Sequence, residues 1–114
     1  MSEQIRVEKR ESKRPFIAKD GSEIRELYKS ARMSLAEATV YQETKRHFHK
    51  TAEEIYHILE GKGIMEIEGK SKEVSEGDTV VILPEEKHRI FTDEKVRFLC
   101  FCSPPYSDED TVLE

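Results

Sequence analysis

The chain of 114 residues contains no tryptophan, only two cysteines, and no apolar run longer than a few residues. Two cysteines exclude a disulfide-rich scaffold, and Cys100 and Cys102 would lie on the same side of one strand, an arrangement typical of buried reduced thiols. No segment is long and apolar enough to cross a bilayer, and the charged N-terminus lacks a signal-peptide pattern. We therefore expect a cytoplasmic protein with no membrane partner.

Excess positive charge is absent as well. The chain has 19 Lys and Arg against 24 Asp and Glu, which gives a net charge of -5. Because phosphate binding needs a cationic face, we expect no nucleic-acid partner. The length corresponds to one domain with one site.

Short strand-like segments follow one another from residue 23 onwards, and most are separated by turn-sized links such as EGKG, EGD and PEEK. This pattern predicts an antiparallel sandwich or barrel. The predicted domain spans residues 23–103, after a charged N-terminal arm at residues 1–22 and before an acidic tail at residues 104–114. The tail begins with two prolines that end the last strand, and its composition leaves open whether it packs on a neighbour through Tyr106 or is mobile.

The segment TAEEIYHILEG, residues 51–61, fits two secondary structures. Thr51 and Glu54 match a helix capping box, and its apolar residues recur at helical spacing. Its β-branched and aromatic content, and its position between strand-like segments, favour a strand instead. On a strand, Glu54 and Tyr56 point one way and His57 points the other.

Three histidines and a carboxylate are spaced so that they can meet at one point. His47 and His49 are two residues apart, so their rings project from one face of a strand with Cα atoms about 6 to 7 Å apart. Glu54 follows after a tight connection, and strand parity selects it over Glu53. His88, after the LPEEK turn, would complete the set. Such ligands suit one divalent first-row transition metal, whether Fe, Mn, Ni, Cu or Zn, and leave open coordination positions for chemistry.

The same residues carry a resemblance to the cupin superfamily. Its first motif has two histidines flanking one residue, then four residues, a glutamate, six residues and a glycine. The corresponding residues here are His47, His49, Glu54 and Gly61.

The second cupin motif is matched in part. Gly77 and His88 occupy its first and last positions, while Leu83 stands in place of a proline, Glu85 in place of a glycine and Thr92 in place of a frequent asparagine. These departures fall on turns and on the pocket wall, and the liganding histidine is retained.

The resemblance implies a fold more than a reaction. It implies an all-β, antiparallel jelly roll, the double-stranded β-helix, with the metal held in its mouth and commonly as a homodimer. Cupins include dioxygenases, sugar-phosphate isomerases, decarboxylases, sensors and storage proteins, so the fold does not fix the activity.

We expect an apolar interior around the predicted metal. Met65, Ile67, Ile82 and Ile90 would line it, and Tyr56 either offers its hydroxyl group to a ligand or packs, with packing favoured. An apolar pocket beside an open metal favours a small organic ligand.

Two functions fit these observations. The first is a metal-dependent enzyme, with oxygenase chemistry preferred over isomerisation because no spare inward carboxylate is evident as a base. The alternative is a non-catalytic module that binds or senses a small molecule, and a sugar isomerase-like cupin is a further candidate. Catalysis by Cys100 or Cys102 is disfavoured, since nothing near them in sequence would lower a thiol pKa.

Overall fold

Ten β-strands make up nearly all of the regular structure in residues 4–114, the part of the chain that the computed structural model describes. Their bounds in chain order are β1 Phe16–Ile17, β2 Glu23–Lys29, β3 Ser34–Val40, β4 His47–His49, β5 Glu53–Ile67, β6 Lys70–Ser75, β7 Thr79–Ile82, β8 His88–Phe91, β9 Val96–Ser103 and β10 Thr111–Leu113. A short 3-10 turn covers Arg10–Ser12. Over this described range, no helix has the length and apolar character that crossing a bilayer requires.

The described strands pair antiparallel and form two sheets that share the long strand β5. In the first sheet, β1, β2, β3, β9 and β5 lie side by side, and β7 also pairs with β5. In the second sheet, β10, β4, β8 and β5 lie side by side, and β6 also pairs with β5. Because one strand serves both sheets, the chain curls into a jelly-roll β-barrel. The predicted all-β, antiparallel fold is confirmed.

Two glycines allow β5 to pass from one sheet to the other. Gly61 has a φ of +86°, and a Cβ atom there would lie 2.3 Å from the carbonyl oxygen of Lys95. At Gly63 a Cβ atom would lie 2.4 Å from the carbonyl oxygen of Phe91. Neighbouring backbone therefore approaches too closely for any side chain. The prediction that EGKG is a turn between two strands is wrong, because these residues lie in the middle of one continuous strand.

The segment that fitted two secondary structures is a strand. Along β5, Glu54, Tyr56 and Ile58 are buried, whereas His57 lies half-buried on the outer face with its Nδ1 atom 2.9 Å from Thr79 Oγ1. Strand parity thus places Glu54 inside the barrel, as predicted. The core around it consists of Ala38, Val40, Tyr56, Ile58, Met65, Val74, Ile82, Ile90, Val96 and Phe98, with Ile67 packed against it.

Residues before and after the predicted barrel also pack on the two sheets. Strand β1 pairs with β2, and β10 pairs with β4. Lys19 Nζ donates hydrogen bonds to the carbonyl oxygens of Asp108, at 3.1 Å, and Thr111, at 2.8 Å, which ties the N-terminal segment to the C-terminal one. The division into residues 1–22, 23–103 and 104–114 stays a prediction, and its first three residues lie outside the described range.

Candidate metal centre

The three predicted histidines come together inside the barrel through the pairing of β4 with β8. His47 and His49 share one face of β4, and His47 lies directly opposite His88 on β8. The ring centroids of His47 and His88 are 4.2 Å apart, and those of His49 and His88 are 5.5 Å apart. All three rings are buried, with His88 fully so. One ligand nitrogen from each ring can therefore reach a common point.

Glu54 brings a carboxylate to the same point from β5. It is 2% exposed, and its Oε1 atom lies 3.2 Å from His49 Nε2 and 3.3 Å from His88 Nε2. Its position is set by pairing, because Glu54 stands opposite Cys102 on β9 and Ile82 on β7. The structure thus unites all four residues that the sequence proposed as metal ligands.

Backbone carbonyls fix the orientation of two imidazole rings. The Nδ1 atom of His47 lies 2.8 Å from the carbonyl oxygen of Lys45, and Nδ1 of His88 lies 2.8 Å from that of Glu86. A carbonyl oxygen only accepts, so both Nδ1 atoms carry the proton. The lone pair of each ring is therefore on Nε2, which faces the centre.

A threonine hydroxyl group from the last strand plays the same role for His49. Nδ1 of His49 lies 3.1 Å from Thr111 Oγ1, and that hydroxyl donates its own proton to the carbonyl oxygen of Ser107 at 2.8 Å. The hydroxyl oxygen is left as an acceptor, so His49 also donates from Nδ1 and presents Nε2 inward. Thr111 lies outside the predicted barrel, and no motif in the sequence connects it with His49.

The donor set fits a cation. His88 Nε2 is completely buried and has no hydrogen-bond partner in the described part of the chain, although Glu54 Oε1 lies only 3.3 Å away. A nitrogen lone pair that faces a carboxylate oxygen is unfavourable unless positive charge lies between them. Three imidazole nitrogens and one carboxylate oxygen are ligands that divalent first-row transition metals accept. The four side chains could therefore hold such an ion.

The pKa shifts of the site residues also indicate that positive charge is favourable near Glu54. Burial raises the pKa of Glu54, but the imidazoles of His49 and His88 close to its Oε1 atom outweigh burial and hold that pKa well below its usual range. Burial lowers the pKa of His49, and the contact with Glu54 reverses this so that the net shift is upward. At His47, burial and then the neighbouring His88 lower the pKa.

A cavity opens beside the four residues, with a volume of about 50 Å³ that the centre of a water molecule can reach. Its walls are largely apolar, and they include Ala36, Ala38 and Phe98. Tyr56 lines it too: it stacks on Phe98 with centroids 4.2 Å apart, and burial, followed by the charge of Glu54, raises its pKa well above the usual value.

Asp20 is a pocket residue that the sequence did not reveal. Its side chain lines the cavity, and Oδ2 lies 3.7 Å from His47 Nε2. Its Oδ1 atom accepts hydrogen bonds from the backbone and hydroxyl groups of Ser22, which fix the carboxylate in place. The expectation that no spare carboxylate faces the interior is therefore wrong. Asp20 lies in the predicted arm, where a turn-like KDGS sequence gives no sign of an inward carboxylate.

Both cysteines also belong to the pocket. Cys100 Sγ lies 2.8 Å and Cys102 Sγ 3.3 Å from Glu54 Oε2, so both thiols donate to the carboxylate. The close approach of Cys102 Sγ, followed by burial, raises the pKa of Cys100 well above its usual value. Strand parity predicted that the two thiols share one face, but their contact with Glu54 depends on the pairing of β5 with β9.

The fold and the four converging side chains define a jelly-roll barrel with a candidate metal centre at its interior. The cupin domain model matches residues 36–102, more than half of the chain, and the chain therefore belongs to the cupin family. The uncharacterised protein MJ1618 of Methanocaldococcus jannaschii is 47% identical, with 88% of this chain and 87% of that protein covered.

Solved structures share the same barrel. A uridine-bound variant of Streptomyces Pac13 superposes with a TM-score of 0.85 at 12% identity, covering 97% of this chain and 92% of that chain. Pac13 is a nucleoside dehydratase. The polyketide cyclase RemF of Streptomyces resistomycificus superposes with a TM-score of 0.74 at 23% identity, covering 96% of this chain and 89% of that chain. At these identities the likeness shows the fold alone.

Proposed function

We propose that the protein is a metal-dependent enzyme that acts on a small organic molecule. One divalent first-row transition metal would be held by His47, His49, Glu54 and His88. The observation that carries the proposal is His88 Nε2, which is buried without a hydrogen-bond partner in residues 4–114 and faces Glu54 Oε1 at 3.3 Å. When bound, the ion would act as a Lewis acid and offer open coordination positions to a ligand.

The cavity supports a compact substrate with an apolar body. Alanine and phenylalanine side chains form much of its wall, while Asp20 and Ser22 offer polar contacts at one side. Tyr106 closes another side, with its ring edge-on to His49 at 5.9 Å. Such a site favours small molecules with an apolar body and few polar groups.

Oxygenase chemistry is our first candidate, because three imidazoles and one carboxylate suit a redox-active ion such as Fe(II). A proton-transfer reaction, such as isomerisation or dehydration, is the second candidate. The position of Asp20 favours it, since this carboxylate faces the same cavity and is held by Ser22. The dehydratase activity of Pac13 shows that a barrel of this shape can host such chemistry.

Oxygen consumption distinguishes these candidates. Protein loaded with iron without oxygen would be exposed to air beside a panel of small phenols, thiols and keto acids. An oxygenase consumes oxygen with at least one compound, and the His47→Ala/His88→Ala variant does not. For proton transfer, the readout is deuterium uptake from heavy water into the same panel, extended to sugars and nucleosides, and its loss in Asp20→Asn. If compounds of the panel bind but neither oxygen consumption nor deuterium uptake occurs, the result would contradict enzyme activity and favour the non-catalytic binding or sensor module.

We also infer that the protein is a cytoplasmic homodimer. The exposed apolar side chains Phe16 and Ile17 on β1, 49% and 69% exposed, support a second copy as partner. Two free thiols support a reducing compartment. Light scattering of the purified protein tests the dimer.

A further inference from the structure

A second set of metal-ligating atoms lies on the other side of Glu54. Cys100 Sγ, Cys102 Sγ and Glu54 Oε2 all lie within 4.8 Å of one another, and the two sulfur atoms are 4.0 Å apart. The two oxygens of Glu54 therefore face different groups. Oε1 faces the imidazoles of His49 and His88, and Oε2 faces the two thiols.

Sheet geometry creates this second set. Cys102 stands opposite Glu54, and Cys100 stands opposite Tyr56, in the pairing of β9 with β5. Side chains two residues apart on a strand share a face, so both sulfur atoms point into the cavity that Glu54 lines. The regular strand holds them too far apart for a disulfide bond, which needs about 2.05 Å between sulfur atoms.

The same spacing suits a shared cation. Two thiolates that bind one tetrahedral zinc ion at about 2.3 Å each lie about 3.8 Å from each other. The observed 4.0 Å between Cys100 Sγ and Cys102 Sγ is close to that distance. Small side-chain rotations would bring both sulfur atoms and Glu54 Oε2 onto one ion.

We propose that Cys100, Cys102 and Glu54 form a second cation site, which takes a thiophilic divalent ion such as zinc or cadmium. On binding, each thiol releases one proton, and the two S–H hydrogen bonds to Oε2 give way to two sulfur–metal bonds and one oxygen–metal bond. A doubly charged ion thus replaces two protons, and the net charge of this buried region is unchanged. Glu54 would then offer one carboxylate oxygen to each centre, Oε1 to the histidines and Oε2 to the second site.

Cadmium titration of the reduced, full-length protein tests this site without reference to any activity. Thiolate binding gives a sulfur-to-cadmium charge-transfer band in the ultraviolet. The wild type is expected to bind two cadmium ions per chain, to show the band, and to release two protons for the ion that produces it. Cys100→Ser/Cys102→Ser loses the band and one equivalent, whereas His47→Ala/His88→Ala keeps the band and loses the other equivalent.

Two results would overturn the second site. One is a wild-type protein saturated with cadmium that shows no thiolate band, a result that depends on no substitution. The other is a single cadmium ion per chain whose band disappears in the histidine variant, which would mean one centre that uses both kinds of ligand. If the histidine centre binds no ion and the second site does, the thiolate band and one cadmium equivalent remain. The titration can therefore contradict either proposal without contradicting the other.

Discussion

His47 on β4 and His88 on β8 are a directly opposed cross-strand pair with ring centroids 4.2 Å apart. Each ring donates from Nδ1 to the carbonyl oxygen of the residue two positions before it in its own chain segment, Lys45 and Glu86. The sheet pairing therefore brings the rings together, and the local backbone turns both Nε2 atoms to the same side. A metal centre built this way depends on the barrel being folded and needs little rearrangement when the ion enters.

The assignment of His88 as a metal ligand can be tested by removing its imidazole and comparing the result with the removal of a histidine on the outer face. We expect His88→Ala to lower the affinity for zinc or iron by more than about 100-fold, since a ligand does more for affinity than the groups that orient it. His57→Ala is the matched control, because His57 lies on the outer face of β5 beside Thr79. Competition with a chelator of known affinity measures both. Equal affinities in the two variants would contradict the assignment of His88.

Thr111 is expected to act through His49. Thr111→Val removes the hydroxyl oxygen that accepts from Nδ1 at 3.1 Å, so the ring loses its fixed orientation. We expect a loss of metal affinity of about 10- to 100-fold, whereas Thr111→Ser keeps the oxygen and the affinity. Titration calorimetry with zinc gives the comparison. A loss of folding stability with unchanged zinc affinity in Thr111→Val would mean that the hydroxyl only supports the packing of β10.

A substitution at Gly61 tests whether the close backbone approach at the bend of β5 requires glycine. In Gly61→Ala the new Cβ atom meets the carbonyl oxygen of Lys95 at 2.3 Å in a left-handed conformation, and we expect the free energy of unfolding to fall by more than about 3 kcal/mol. Gly69→Ala is the control, since φ is +79° there but no atom lies within 4 Å of the new Cβ atom. Its expected cost is about 1 to 2 kcal/mol. Denaturant titration measures both, and similar losses would argue against the close backbone approach.

Glu37 makes stability depend on pH. Its carboxylate accepts hydrogen bonds from Arg10, at 2.7 Å, and from Arg97, at 3.2 Å, and the hydrogen bond from Arg10 lowers its pKa below the usual 4.5. A lowered pKa in the folded state contributes stability that is present above 4.5 and is lost as the pH falls through the folded value.

The matching variant is Glu37→Gln. It is expected to be less stable than the wild type at neutral pH, and the difference should narrow steadily as the solution becomes more acidic than pH 4.5. Urea titrations at several pH values, with chelator present so that no metal is bound, give the two curves. A difference that stays constant down to acidic pH would show that ionisation of Glu37 contributes nothing.

Much of the fold and the four proposed ligands followed from the sequence. Strand parity placed Glu54 inward and His57 outward, and spacing brought His47 and His49 to one face, because both depend only on the two-residue repeat of a strand. His88 followed from its motif position. Glu85 stands in place of the glycine of that motif and adopts a left-handed conformation, with a φ of +71°, which glycine would favour.

The remaining site residues depend on contacts between distant segments. Asp20 reaches the cavity from the region before the predicted barrel, and Thr111 reaches His49 from beyond its end. Cys100 and Cys102 meet Glu54 only because β5 pairs with β9 in one register. The sequence EGKG predicts a turn although it lies inside a strand, because glycine occurs both in turns between strands and at places within a strand where neighbouring backbone approaches closely. Local sequence does not distinguish these cases.

The metal content of the purified, untagged protein tests the central claim most directly, with the His47→Ala/His88→Ala variant analysed beside it. Circular dichroism of both proteins first shows that the variant keeps the β-structure of the wild type. We expect the wild type to hold one first-row transition metal ion per chain more than the variant, and the identity of that metal then directs the substrate search. A wild type that holds no more metal than the variant, even after incubation with iron, manganese, nickel, copper and zinc in turn, would contradict this expectation.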